Sequence, residues 1–362
     1  MITRPVFIMI ILFIIALLMT SLVYRPILKI AKDKNLVDNP NARKLQKSPV
    51  PVMGGVAVFF GIVIGLCFFK TTVNHVNIFS TLCAMMIMLY VGTIDDIIDI
   101  PAWMKFVIEI GVCLLVIYGT RNLIANFQGA VGIERLPLGV AIPLSVIGMV
   151  GIINSINMID GVDGLSSGIC ILIFGLFGLF LFFAHEYSYA ALAAVCAGAL
   201  VPFFIHNVFG KESKMFIGDG GALMMGTAIA SMVINILKGR DLAYQDFVPN
   251  IDDMSMVAFC LAVLSVPVFD TLRVMISRIA RKVPPFHAEK NHLHHHLLSF
   301  GWSHIKVTIV ELSLDLSVVL IWAISFFAGA GINAQLAIVV LFGVLAALIP
   351  SAISSFRIRE SQ

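Results

Sequence analysis

Apolar runs of roughly twenty residues, separated by short polar breaks, recur along almost all of the 362-residue chain. A helix needs about 20 mainly apolar residues to cross the hydrocarbon of a bilayer. Measured against that length, the pattern predicts about eleven spans, near 6–24, 52–69, 75–93, 103–120, 138–157, 165–184, 188–206, 217–236, 256–276, 307–327 and 333–352. Glycines and polar residues at the ends of the third, fifth and eighth blur their limits. No repeat, low-complexity tract or soluble domain interrupts the series. Residues 1–362 therefore read as one integral-membrane domain, an all-α polytopic protein.

Composition supports that reading. Hydrophobic residues make up 59% of the chain and charged ones 12%, against about 25% charged in a soluble protein. With a mean hydropathy of +1.00, the chain has too few polar groups to cover a surface in water. The six cysteines all lie inside apolar runs without paired or metal-like spacing, so they read as small core residues rather than a disulfide framework. The first run is longer than a signal-peptide core and no small-residue cleavage site follows it, so it is expected to be a first span. Lysine and arginine mark cytoplasmic loops. With the N-terminus outside, the inward segments hold 18 of the 24 basic residues, seven of them between Arg25 and Lys47. That bias predicts a cytoplasmic C-terminus, with cytoplasmic loops near 25–51, 94–105, 154–164, 206–219 and 277–306.

Five polar constellations fall in those loops. "TIDDIIDIPAWMK" places Asp95 and Asp96 side by side at the end of the third span, where like charges repel unless a cation joins them. Its plain alternative is a solvated helix end. In "NSINMIDGVDGL", Asn154, Asn157 and Asp160 share a helical face and offer hard oxygens suited to magnesium. Gly161 and Gly164 then let the backbone approach a ligand, although a capped helix end would also explain part of this run. "MFIGDGGALMMG" puts Asp219 in a glycine-rich turn opening a helix, a place where exposed amides bind phosphate; close helix packing would use the glycines but not the acid. "HAEKNHLHHHL" clusters His292, His294, His295 and His296 without the helical pattern and glutamate of a zinc protease, so these imidazoles suit a sugar or pyrophosphate better than zinc. "NPNARKLQKSPVPVMGG" contributes Arg43, Lys44 and Lys47, which topology alone would also explain.

Taken in this order, the "DD" after a span, "NxxNxxDGxDGL", "GDxGxxxxG" and the late "HxHH" resemble one family. They are similar to the polyprenyl-phosphate N-acetylhexosamine-1-phosphate transferases, glycosyltransferase family 4. The histidine run behind Pro285 and Phe286 is most like the bacterial undecaprenyl-phosphate N-acetylglucosamine branch. The resemblance implies catalytic roles for Asp95, Asp96 and Lys105, with Asp95 meeting the phosphate of the lipid acceptor. It implies magnesium, with manganese as a substitute, on Asn157 and Asp219. Asp163 and Phe216 would hold uracil, joined by Asn207, and His292, His294 and His295 would contact the sugar-phosphate. Lys47, Asn154 and Asp160 complete the implied substrate-binding set. The chain departs from the family at Gln46, Met53 and Lys290, which bears on the sugar rather than the reaction. The implied partners are a UDP-sugar, undecaprenyl phosphate and membrane lipid, with no nucleic acid and a homodimer left open. The implied location is the bacterial cytoplasmic membrane. The expected reaction moves N-acetylglucosamine 1-phosphate from UDP-N-acetylglucosamine to undecaprenyl phosphate and releases UMP, as the first membrane step of a cell-surface polysaccharide. Another UDP-N-acetylhexosamine is the near alternative and a transporter the remote one.

Overall fold

The computed structural model describes residues 3–38, 48–69, 75–238, 253–284 and 291–360. Every apolar run identified above is helical. In chain order the helices are α1 (Thr3–Asp33), α2 (Gly54–Cys67), α3 (His75–Ile98), α4 (Ala102–Thr120), α5 (Leu138–Met158), α6 (Leu165–Phe183) and α7 (Tyr187–Phe209). They continue with α8 (Gly218–Ile236), α9 (Met256–Val263), α10 (Ser265–Ala280), α11 (Leu293–Ser299), α12 (His304–Phe327) and α13 (Ile332–Glu360). Among the described residues, nine helices are long and apolar enough to cross a membrane, and the bent α9–α10 pair makes a tenth if taken as one span. The chain is an all-α polytopic membrane protein.

Three elements differ from the periodicity. The run near 52–69 forms only the 14-residue α2, about 21 Å at 1.5 Å per residue, too short to cross the hydrocarbon by itself. The ninth run is broken, with α9 and α10 meeting at 81°. Pro267 explains the break, because its ring collides with the carbonyl four residues earlier, at Val263. Asp315 of α12 holds the buried start of α10 by accepting from the Ser265 hydroxyl and the Val266 amide, both at 2.9 Å. Finally, α1 runs nine residues past the expected end at 24, through a third of the segment expected as a loop. It stops where Asn35 takes a left-handed conformation and the Leu36 amide reaches back to Ala31. Beyond it, β1 (Val37–Asp38) and β2 (Val50–Pro51) pair as a short antiparallel ribbon.

One contiguous core runs through the bundle, and α8 is its axis. Every residue of α8 except Asp219 is buried. Glycines permit this. A side chain on Gly92 of α3 would overlap the Gly220 backbone, and one on Gly55 of α2 would overlap Gly221. Gly226 lies against the Ile153 backbone of α5. The axis therefore delivers its one accessible residue, a carboxylate, to the end where α3 stops and α4 starts.

Candidate active site

The first acid closes its own helix. Asp99 turns left-handed, and the next amide, Ile100, donates to Asp95 Oδ1 at 2.6 Å. The other oxygen, Oδ2, takes Lys105 Nζ at 2.5 Å, and the same ammonium lies 3.3 Å from Asp219 Oδ2. One cation of α4 thus joins an acid of α3 to an acid of α8. Asp96 is exposed, and its Oδ1 accepts the Asp219 amide at 3.2 Å. The approach requires glycine at 218, where φ is +75° and a Cβ would collide with Asp96 and Val52.

Beside this group, α5 ends and the turn from Ile159 to Gly164 begins. Burial, reinforced by the charges of Asp219 and Asp163, pushes the Asp160 carboxyl up to about 7 despite the hydroxyl Ser166 donates at 2.5 Å. Asn157 Oδ1 is buried without a hydrogen-bond partner. Among the described residues, no three His, Cys, Asp or Glu side chains converge as a self-sufficient metal cage. Magnesium does not need one, since it is held by one or two protein oxygens with water and substrate phosphate. An unsatisfied amide oxygen one turn before Asp160, whose carboxylate lies near enough to Asp219 to feel its charge, fits that donor set. Asn154 is turned elsewhere: its amide donates to Glu109 Oε2 of α4 at 2.6 Å and to the Val150 carbonyl at 2.9 Å.

Asp163 is the most heavily engaged of the turn residues. Its Oδ2 accepts from Lys214 Nζ at 2.6 Å and lies 2.8 Å from His304 Nδ1. Burial works to raise its pKa, but the hydrogen bonds and charges of His304 and Lys214 outweigh it and hold the carboxyl below its ordinary value. Lys214 also stands 5.6 Å over the Phe216 ring. That ring is placed by strand-like bonds, with the Phe216 amide donating to Pro51 and its carbonyl accepting from Gly54. Asn207 is buried between the two segments, accepting from the Gly164 amide at 2.7 Å and donating to the Met215 carbonyl at 3.1 Å.

The histidine helix α11 is fixed from α10. Asp270, itself buried, lies 2.8 Å from His292 Nδ1, accepts the Leu293 amide at 3.0 Å and pairs with Arg273 at 2.7 Å. His292 is thereby a tie between helices. His294 is buried, which holds its imidazole well below the usual pKa, with the neighbouring His295 and His292 adding to the effect. Its ring fills the space a side chain on Gly161 would need. His295 lies alongside, 4.3 Å from the His294 ring, and is half-buried. Lys47, like Pro285 and Phe286, lies outside the described residues. All the other candidates come to one end of the bundle, on helices α3, α4, α5, α7, α8 and α11 and the loops beside them.

Sequence reading missed Glu109, Lys214, Asp270, Arg273 and His304. Lys214 stands two residues before Phe216 and could have been suspected there. The others are isolated polar residues within apolar or unremarkable stretches.

Residues 78–237 match the sequence profile of Glycosyl transferase family 4. A Bacillus subtilis protein described as a probable undecaprenyl-phosphate N-acetylglucosaminyl 1-phosphate transferase is 30% identical over 304 residues, 82% of this chain and 79% of its own length. A Pasteurella multocida undecaprenyl-phosphate alpha-N-acetylglucosaminyl 1-phosphate transferase is 30% identical, covering 78% and 76%. The Salmonella typhi protein of the same description is 25% identical, covering 85% and 78%.

Proposed function

The chain belongs to glycosyl transferase family 4, and from that premise we propose that it transfers N-acetylglucosamine 1-phosphate from UDP-N-acetylglucosamine to undecaprenyl phosphate. The products are undecaprenyl-pyrophosphate-N-acetylglucosamine and UMP. The observation that carries this reading is the gathering of Asp95, Asp96 and Asp219 around Lys105, beside the Asp160–Gly164 turn. A phosphate at a lipid surface and a phosphate on a nucleotide can meet at such a place.

Phosphoryl transfer calls mainly for alignment and charge neutralisation. Lys105 supplies a cation to the approaching phosphates, and Asp96, the more exposed acid, takes the remaining proton of an acceptor arriving as the monoanion. An acceptor oxygen then attacks the sugar-linked phosphorus as the bond to UMP breaks. Both oxygens of Asp95 are already engaged, by Lys105 and by the Ile100 amide, which favours direct attack over an aspartyl-phosphate intermediate. Asn157 and Asp219 would hold magnesium, which supplies charge compensation on the donor pyrophosphate. Asp163 and Phe216 receive the uracil, Asn207 shapes that pocket, and of His292, His294 and His295 only the last is not buried and so is open to the sugar. We place this site on the cytoplasmic face of a bacterial cytoplasmic membrane, where the nucleotide donor is made.

The test is purified protein in detergent with undecaprenyl phosphate and a panel of UDP-sugars. UMP should appear with UDP-N-acetylglucosamine, and not when the lipid is omitted or a chelator is added. UDP-muramyl-pentapeptide should not react. Preference for another UDP-N-acetylhexosamine would overturn the sugar assignment alone, whereas no UMP from any donor would overturn the reaction.

A further inference from the structure

The segment from α11 to α12 grips the glycine turn at two places. His294 occupies the space over Gly161, and two residues on, the start of α12 seizes Asp163. The Thr308 hydroxyl donates to the Asp163 carbonyl at 3.1 Å, and His304 Nδ1 lies 2.8 Å from Asp163 Oδ2 and 3.3 Å from the Asp163 amide. The two contacts exclude each other, because Nδ1 donates to the carboxylate only when it carries the proton and accepts from the Asp163 amide only when it does not. The shorter contact, to the carboxylate, selects the tautomer with the proton on Nδ1. Lys214 binds the same oxygen, so Oδ2 is fully occupied and Oδ1 is left for a ligand.

The two donors are not equivalent. Lys214 is a long flexible side chain on an irregular loop, and holding it costs more rotamer entropy than holding an imidazole. His304 is short and stands at the rigid start of a 24-residue helix. Its side chain remains 37% exposed, so it is not simply a core residue. The neighbouring Ser303 makes no side-chain capping bond, which leaves His304 as a side-chain tie between this end of α12 and the turn.

We infer that His304 is a positioning residue for donor recognition: by fixing Oδ2 of Asp163 it aims Oδ1 at the imide N–H of the nucleobase. The inference rests on the proposed use of a UDP-sugar. A carboxylate oxygen accepts from the N3–H of uracil, whereas cytosine has no hydrogen there, so the fixed orientation makes His304 a determinant of base choice. Lys214, if released, would leave the carboxylate still aligned; loss of His304 would leave it on a mobile partner.

The experiment compares His304→Ala, His304→Asn and His304→Gln, with KM for UDP-N-acetylglucosamine, KM for undecaprenyl phosphate, kcat, and inhibition by UMP and CMP. Asparagine places an N–H where His Nδ1 lies, and glutamine places one nearer Nε2. Removing one hydrogen bond to a charged group should raise the donor KM and the UMP inhibition constant on the order of tenfold in His304→Ala. The preference for UMP over CMP should narrow, while kcat and the lipid KM stay within about twofold. Asparagine should restore the donor KM and glutamine should not. Rescue by glutamine but not asparagine would overturn positioning in favour of direct contact through Nε2. An unchanged donor KM, or an equal loss across all three parameters, would overturn the inference while leaving the reaction standing. If the alanine variant does not fold, the asparagine–glutamine comparison decides alone. A wild-type protein that releases no UMP from any donor would overturn the proposed function, and this inference with it.

Discussion

Asp160 and Asp163 stand three residues apart and are pushed in opposite directions. Burial and the charges of Asp219 and Asp163 raise the first to about 7, while Lys214 and His304 hold the second below its ordinary value. Because the folded protein binds the Asp160 proton more tightly than the unfolded chain does, this group's contribution to stability is complete below the ordinary carboxylate pKa of about 4. It is lost as pH rises towards 7. The contribution of Asp163 has the reverse sign, present above its unfolded pKa and lost as pH falls through the folded one. In detergent containing a chelator, Asp160→Asn should therefore flatten the fall in Tm between pH 5 and pH 8, and Asp163→Asn should not. Equal slopes in wild type and Asp160→Asn would show that Asp160 is solvated. These two acids were visible in the sequence because a glycine follows each and two asparagines precede them. His304 was not, because its partner is 141 positions away and nothing local distinguishes it from any polar residue at the start of a helix. Asn154 was visible for its spacing, but spacing on a helix face does not say which neighbour the face meets, and here it meets Glu109 of α4.

Helices were the most legible elements, since about twenty apolar residues have few other stable forms in a bilayer. Where the reading slipped, a backbone rule competed with hydropathy. Pro267 broke the ninth run, and Asn35, rather than the end of the apolar stretch, stopped α1. Glycines in α3 and α8 carried a second meaning that hydropathy does not record. Gly92 lies against the backbone of Gly220, next to Asp219, so the spacing between the acids of α3 and α8 depends on the absence of a side chain. Gly92→Ala should overpack this contact, destabilise the fold by about 1–3 kcal/mol and lower turnover further by separating Asp219 from Asp96. Gly111 of α4 has nothing within 4 Å of the position a Cβ would take. Gly111→Ala should leave turnover unchanged and keep stability or raise it by up to about 1 kcal/mol. Thermal unfolding in detergent with UMP release measures both. If the two variants behave alike, the α3–α8 contact does not set the site.

On the scale of the molecule, the same end of the bundle that carries the acids also carries the basic part of α1. Lys32 Nζ donates to the Glu212 carbonyl at 2.8 Å and the Tyr24 hydroxyl to the Ser213 carbonyl at 2.9 Å. Tyr24 also stacks on His206 at 4.4 Å, and His206 Nδ1 lies 2.9 Å from the Ser213 hydroxyl. The loop bearing Lys214 and Phe216 is thereby fastened to the helix that contributes Arg25, Lys29 and Lys32. Basic residues gather on the cytoplasmic side because the bias governs insertion. The fastening therefore links the topology signal to the site itself. The opposite end is closed by different contacts, with the Val131 amide donating to Asn333 and the Met256 amide to Gln128. Lys211 and Glu134 are exposed, one at each end. After replacement of the accessible Cys67 and Cys83, a cysteine at Glu134 should react with an impermeant thiol reagent added to intact cells. One at Lys211 should react only after the membrane is opened. The reverse pattern would place the acids, Lys105 and the glycine turn outside the cell, away from any nucleotide donor, and a transferase drawing on cytoplasmic UDP-sugar could not work in that orientation.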